Sequence, residues 1–222
     1  FVWPKVQPHV GRLPVQIERV SGTLWQGQAR LNIPNIGKVT GQWDVQVTEL
    51  LAGQLAADVM ISGDELKFEG LVRGSTERLE VVNSNAFMSS SYLQPVLRQS
   101  RSTLTGDFEL NKFNGLFSIK EQQILAADGR LVFSGGDVSF PLDGKKVNAT
   151  LPILIGAINK TGENVELVIT DTDGQNIGTG YVQPDGWAGL GIRRRLLDIL
   201  GLKWPAEADA EKVIFEASQK LL

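Results

Sequence analysis

The sequence predicts a mostly β protein, an antiparallel meander that forms a strongly curved sheet or an incomplete barrel. Three observations predict it: short apolar or alternating segments recur along the 222 residues, turn signals separate them, and many contain an internal glycine. We expect one or two short helices near the C-terminus. Residues 1–222 are expected to form one β-rich domain, or two halves joined near 89–102.

Composition excludes several classes of function. At 42% hydrophobic residues, a chain of this length can bury a substantial core. A formal net charge of -3 gives no overall attraction for nucleic acid, although it leaves a local basic patch open. The absence of cysteine excludes disulfides, thiolate metal sites and cysteine nucleophiles.

The first fourteen residues predict an extended lead-in, because Pro4, Pro8 and Pro14 interrupt any helix. His9, the sole histidine, is expected at the surface, so histidine relays and multi-histidine metal sites are not available. No apolar run approaches the roughly eighteen residues of a membrane-spanning helix. The chain begins without methionine, and we expect that an upstream anchor or signal has been removed.

The segment from Val20 to Gly27 (VSGTLWQG) is the most conspicuous of the first half. Thr23, Trp25 and Gly27 would share one side of an extended chain, which predicts a strand bounded or bent by Gly22 and Gly27. Trp25 is then expected to pack as a buried aromatic ring.

Further strands follow from alternation. Residues 38–47 predict a strand with one buried and one wet face, 48–53 a turn or single helical turn, and 54–61 with 65–72 a hairpin. The glycine-containing pattern of Val20 to Gly27 recurs in weaker form at 39–45, 68–72, 104–108 and 113–117.

The residue composition changes in the middle of the chain. After a strand at 79–82, residues 89–102 combine a serine run, Pro95 and helically spaced apolar residues, which predicts a short helix or mobile connection. Strands are expected again at 103–110 and 115–120. Residues 131–140 predict a tight hairpin on Gly135 and Gly136.

The last part of the chain predicts two more strands, 165–170 and 177–183, and two helices. The four Asp-Gly pairs that begin at residues 128, 143, 173 and 185 predict hairpin turns of type I′. One helix is expected from Arg193 to Leu200, ended by Gly201, and a second from Ala208 to Leu222.

Candidate chemistry is sparse. Asp171-Thr172-Asp173-Gly174 resembles the start of a calcium loop, but Val182 stands where the closing glutamate would be, so an exposed turn is the simpler reading. Neighbouring acids such as Glu163 and Glu166 are explained by alternation, and no pair is assigned as general acid and base. We therefore predict no enzyme, no cofactor and no metal.

Two features leave alternatives open. Arg193, Arg194 and Arg195 are candidate contacts for anionic lipid headgroups or an acidic partner, or they are the solvated start of a helix. The strand aromatics, which pack in a core by default, would instead line a groove for lipid or a partner strand if the sheet is open. These aromatics are Trp25, Trp43, Phe68, Phe108, Phe117 and Phe133.

Taken together, the motif residues Val20, Ser21, Gly22, Thr23, Leu24, Trp25, Gln26 and Gly27, the pair Leu151-Pro152, and the ending from Arg193 to Pro205 resemble a known family. The chain from Leu13 to about Leu222 resembles the periplasmic part of type II secretion system protein N, the GspN family. The motif is expected to be structural, with no ligand of its own.

The resemblance implies a non-enzymatic accessory component of the machine that exports folded proteins from the periplasm. It implies contacts with the inner-membrane platform proteins or the secretin, and a location at the periplasmic face of the bacterial inner membrane, where an anchor would attach the full-length protein. The motif is also similar to the glycine-containing strands of AsmA and TamB type lipid-transfer proteins. That similarity implies, as the alternative, an open β groove that binds lipid.

Overall fold

The computed structural model describes residues 16–33, 37–51, 53–99, 101–142, 145–202 and 209–220. Its strands, in chain order, are β1 (Gln16–Gly22), β2 (Gln26–Ile33), β3 (Gly37–Val45), β4 (Leu55–Ser62), β5 (Leu66–Gly74), β6 (Arg78–Ser89), β7 (Thr103–Leu104), β8 (Asp107–Ser118), β9 (Gln123–Phe133), β10 (Gly136–Leu142), β11 (Lys145–Leu151), β12 (Leu154–Thr161), β13 (Asn164–Thr170), β14 (Asn176–Val182), β15 (Trp187–Arg193) and β16 (Val213–Lys220).

Thirteen of these strands form one antiparallel sheet in the order β1-β2-β3-β4-β5-β6-β8-β9-β12-β13-β14-β15-β16. The predicted antiparallel meander is confirmed, and the sheet is open, with β1 and β16 at its two edges. Strands β7, β10 and β11 form a separate three-stranded sheet. The 13-stranded sheet continues from β6 to β8, so the connection at 89–102 does not interrupt it.

The helices of the described residues are short. They are α1 (Val47–Leu51), a 3₁₀ helix (Ser90–Leu93), α2 (Gln94–Gln99) and α3 (Arg195–Ile199). The 3₁₀ helix begins after Ser89, whose hydroxyl accepts a hydrogen bond from the Ser91 backbone N–H. The helical turn after β3, the helix within 89–102 and the helix near the three arginines are therefore confirmed. None of these helices has the length and apolarity that crossing a membrane requires.

The predicted helix from Ala208 to Leu222 is wrong for its described residues, because Val213–Lys220 is strand β16. Phe215 pairs with Ile192 and Ala217 with Leu190 of β15. Helical spacing and strand alternation both fit this segment. β-branched and aromatic residues at 213–215 favour a strand, and backbone pairing with β15 completes it.

The predicted hairpin on Gly135 and Gly136 is also wrong. Both neighbours of β9 in the large sheet are already β8 and β12, so the chain cannot fold back onto β9. Instead it leaves the large sheet after Phe133, turns at Gly135 with φ +81, and enters the small sheet at Gly136.

The Asp-Gly pairs behave differently from one another. Asp128-Gly129 lies inside β9, where a Cβ on Gly129 would be 3.1 Å from the Phe113 ring; the glycine makes room for that ring. Gly174 and Gly186 form turns with φ +80 and +85, but their aspartates lack positive φ, so these turns are not type I′. The fourth pair, at 143–144, lies outside the described residues, as do His9 and the lead-in.

The core is small for so large a sheet. Among the described residues, the buried hydrophobic side chains are Val39, Ala56, Ala127, Phe133, Ile177 and Leu197. Of the aromatics expected to pack inside, Phe133 is buried, with its ring centroid 5.0 Å from that of Phe108. Trp43, Phe68, Phe108 and Phe117 are only partly buried. Much of the apolar surface of the sheet thus remains accessible.

Candidate functional site

One face of the large sheet carries an uninterrupted line of apolar residues. Residues directly opposite one another in antiparallel strands project to the same face, so the register can be followed from edge to edge. One such line, here called the apolar row, takes one residue from each of the thirteen strands and contains only apolar residues and glycine. The apolar row is Val20, Ala29, Gly41, Ile61, Phe68, Ala86, Leu110, Leu131, Gly156, Ile169, Gly178, Ile192 and Phe215.

The apolar row is only partly covered. Its ends are exposed, Val20 by 50% and Phe215 by 56%. In between, only the glycines Gly156 and Gly178 are buried, and the apolar side chains remain partly accessible. A soluble domain normally buries such a face against a second layer.

The small sheet supplies that second layer over the middle of the row. Leu104 of β7 and Leu151 of β11 face Phe108, Phe133 and Leu154 of the large sheet across an apolar cavity of about 150 Å³. The two wings of the sheet, β1 to β5 and β14 to β16, contribute no residue to this cavity. The uncovered apolar surface is therefore greatest toward the wings.

The opposite face of the first six strands is polar. It forms a groove of about 890 Å³. Asp44 and Asp58 lie directly opposite each other there, and each accepts a hydrogen bond from a glutamine amide: Gln26 Nε2 at 3.3 Å and Gln46 Nε2 at 2.9 Å. Amides thus hold the two carboxylates.

Neither face presents a recognisable reaction centre within the described residues. They contain no group of three or more histidine, cysteine, aspartate or glutamate side chains arranged to hold a metal ion. Asp171 is nearly buried, and its Oδ1 accepts the backbone N–H groups of Asp173 and Gln175 at 3.0 and 2.8 Å. The aspartate that resembled the first ligand of a calcium loop therefore organises a hairpin turn.

The motif from Val20 to Gly27 is a hairpin turn between β1 and β2, and the predicted strand through Thr23 and Trp25 is wrong. Gly22 has φ +99, and a Cβ there would lie 2.6 Å from the Gly27 Cα. Thr23 Oγ1 accepts the backbone N–H groups of Trp25 and Gln26 at 3.2 and 3.1 Å. This hydroxyl pairing turns the chain within three residues, which an extended strand cannot do.

The third strand fixes the turn further. Val45 donates its backbone N–H to the Trp25 carbonyl at 2.6 Å, and Trp43 Nε1 donates to the Leu24 carbonyl at 3.1 Å. The Trp43 ring also covers Gly27, where a Cβ would lie 2.9 Å from ring atom Cε2. By contrast, the side chains of Leu24 and Trp25 are 56% and 48% exposed. The expected burial of Trp25 is therefore wrong.

The three arginines end β15 and begin α3. Arg193 and Arg195 both form ion pairs with Glu211, Arg194 pairs with Asp198 at 3.2 Å, and Arg195 also donates to Gln175 Oε1 at 2.6 Å. Their side chains are 25%, 25% and 27% exposed. Glu211 lies just before β16, so the cluster joins the end of β15 to the start of the edge strand.

Comparison with known families decides the relationship of the chain. The model of type II secretion system (T2SS) protein N matches residues 14–191. The chain belongs to this family. The family supports involvement in type II secretion and a place in the bacterial envelope, and it covers the hairpin motif, the apolar row as far as Gly178 and the small sheet. No curated protein and no solved structure matches the chain.

Three features of the protein N chain escaped the sequence analysis. Each strand's alternation indicated an apolar side, but only the register shows that these sides join into one row. Glu211 was missed as the shared partner of Arg193 and Arg195, because it lies sixteen or more residues away. The exposure of Leu24 and Trp25 was missed because the motif was assigned to a strand.

Proposed function

We propose that this chain is a non-enzymatic accessory component of type II secretion, a periplasmic interaction module that links the inner-membrane platform, the secretin, or both. The proposal includes a single β-rich domain at the periplasmic face of the inner membrane, attached by an anchor in the full-length protein. The observation that carries it is the outer edge of β16, which pairs with no other strand of the described residues.

The two edges of the sheet differ in how well they are protected. Edge strands offer unpaired backbone groups to a partner strand, and bulges or charges commonly block that pairing. β1 has a bulge between Ile17 and Arg19 and the charged pair Glu18-Arg19. β16 also carries two charges, Glu216 and Lys220, but its irregularity is at its start, next to Arg193, and it then pairs regularly with β15 from Phe215 to Lys220. β16 is therefore the edge better suited to accept a strand.

The arginine cluster supports this edge from one end. Glu211, bound to Arg193 and Arg195, lies two residues before the start of β16. The remaining exposure of Arg193, Arg194 and Arg195 keeps them as candidate contacts for an acidic partner or lipid headgroup at the same corner.

A pull-down with purified periplasmic domains of the platform proteins and the secretin tests the proposal. We expect binding to at least one of them. Neighbouring residues of a strand direct their backbone N–H groups to opposite sides. One of the variants Glu216→Pro and Ala217→Pro therefore removes a hydrogen bond to β15, and the other removes an N–H group at the outer edge of the sheet. The variant that keeps the wild-type melting temperature is the edge variant, and we expect it to lose the partner. No binding to any of the domains at high micromolar concentration contradicts the proposal.

A lipid-binding sheet of the AsmA and TamB type is the second candidate, favoured by the apolar row. The parts of this apolar face that the small sheet does not cover can accept acyl chains. Native mass spectrometry after gentle purification is expected to find bound phospholipid. Phe68→Asn, on the row, should reduce its occupancy, whereas Met60→Asn should not, since Met60 lies on the neighbouring strand but the opposite face. Wild-type protein without lipid argues against this candidate.

A further inference from the structure

We infer that one end of the sheet is a lipid-docking rim, in which Leu24 and Trp25 enter the headgroup region of a bilayer. The rim is formed by the described residues of four connections, 23–25, 46–51 with 53–54, 75–77 and 119–122, and by the strand ends beside them. They lie at the same end because successive strands of the meander run in opposite directions. This goes beyond the proposed pairing at β16, which concerns an edge of the sheet.

Each of the four connections presents an exposed large hydrophobic side chain. Leu24 and Trp25 are 56% and 48% exposed in the first, Val47 57% in the second, Leu79 41% beside the third and Ile119 45% in the fourth. With strands about 4.8 Å apart, the connections span roughly 30 Å. The row of apolar tips is therefore long and narrow.

The opposite end of the sheet differs. The β4/β5 turn consists of Gly63, Asp64 and Glu65, and the β13/β14 turn runs from Asp171 to Gln175 without an apolar residue. Exposed Ile153 precedes β12 at that end, and exposed Ile199 and Val213 lie in the β15/β16 connection and at the start of β16. Among the described connections from β1 to β9, exposed apolar side chains therefore follow one another at the rim and not at the opposite end.

Leu24 and Trp25 are held in place without using their own side chains. Their carbonyl groups accept hydrogen bonds from Trp43 and Val45, and Thr23 ties the turn together. The turn needs glycine at positions 22 and 27 and the hydroxyl group of Thr23. The two apolar side chains have none in the described residues, and a rigid turn presents them outward.

The charges along the rim indicate which kind of lipid surface it would bind. Glu49, Glu77 and Glu121 nearly balance Arg78 and Lys120, so the rim suits zwitterionic headgroups and does not require anionic lipid. Tryptophan prefers the membrane interface. A protein partner would call for a compact cluster of anchor residues, whereas the apolar side chains here are distributed over successive loops.

Flotation with vesicles of pure phosphatidylcholine tests the inference. The wild-type chain is expected to float with the vesicles and to retain binding in 1 M NaCl. Leu24→Ser/Trp25→Ser should weaken partition at least about ten-fold, because partition follows the apolar area buried. Ile153→Ser, an equally exposed residue at the other end, should leave it unchanged. Far-UV circular dichroism and thermal melts verify that all variants are folded.

A fluorescence measurement isolates the side chain itself. Vesicles should shift the tryptophan emission of the wild type to shorter wavelength, and Trp25→Phe should remove most of that shift while retaining flotation. Binding only to anionic vesicles, abolished by salt, would assign the contact to the arginine cluster and overturn the inference. The inference would also be overturned if the chain did not bind vesicles but lost a protein partner in the Trp25→Ser variant. A wild-type chain that floats with the vesicles but binds none of the platform or secretin domains would contradict only the proposed function.

Discussion

Gly70 provides the sharpest test of how the sheet is packed. It lies in β5 opposite the bulge of β6, and it faces Ser84, whose side chain is 1% exposed. A Cβ built on Gly70 would overlap Ser84 Oγ and lie 2.6 Å from Ser84 Cβ, well inside the 3.4 Å at which ordinary contact begins. Ser84 cannot rotate away without weakening its hydrogen bond to the Val82 carbonyl at 3.2 Å.

Gly70→Ala is therefore expected to lower the free energy of unfolding by about 2–4 kcal/mol, from overpacking and the strained hydrogen bond. In a chain of this size each kcal/mol corresponds to about 2–4 °C in melting temperature. Gly41→Ala is the matched control. Gly41 lies inside β3 with nothing within 4 Å of its added Cβ, so alanine should be neutral or stabilise by up to about 1 kcal/mol through the unfolded state.

Urea unfolding followed by circular dichroism measures both variants. Ser84→Gly removes the obstructing side chain, so in the double variant the cost of alanine at Gly70 should be largely recovered, and the cycle gives the coupling of the two sites. Equal effects of Gly70→Ala and Gly41→Ala, or additive effects in the double variant, would refute the packing argument.

Three further outcomes are expected. Phe133→Ala should cost about 3–5 kcal/mol in urea unfolding because its ring is 5% exposed, whereas Phe215→Ala, 56% exposed, should cost far less; similar losses would contradict the assigned core. Glu211→Gln should cost less than about 1 kcal/mol at low salt, since the carboxylate is 46% exposed, and the difference should vanish in 1 M NaCl. Burial, and secondarily the Glu65 carboxylate, raise the pKa of Tyr92 above its ordinary 10.0. The folded state therefore holds the phenolic proton more tightly than the unfolded state does. The resulting contribution to the free energy of unfolding is complete below pH 10 and is lost as pH rises through the pKa of the folded state. Absorbance titration at alkaline pH against Tyr92→Phe checks the direction, and a lower pKa in the folded chain would contradict it.

The strands that the sequence located well are those in which apolar and polar residues alternate. Residues 38–47, 54–61 and 65–72 correspond to β3, β4 and β5. Period-two patterns identify such strands locally, and a turn of polar residues and glycine between them fixes the hairpin. Local sequence patterns were therefore sufficient to predict the meander.

Predictions that depended on the surroundings of a segment were wrong. Residues 213–220 fit a helix or a strand by spacing, and pairing with β15 decided the matter. Gly135 and Gly136 look like a hairpin, but β12 occupies the position beside β9. Asp128-Gly129 looks like a turn, but its glycine accommodates the Phe113 ring inside a strand. In each case a residue distant in sequence supplied the deciding contact.

The sequence by itself determined the fold class, the meander of short strands and the family, because alternation, turn residues and the Val20 to Gly27 motif are local features. Only the tertiary structure decided what the motif does: a threonine-closed turn exposes Leu24 and Trp25 instead of burying them. It alone joined thirteen apolar or glycine positions into one row, from Val20 to Phe215. The physical reason is that register and exposure depend on the strand placed alongside, which no single segment encodes.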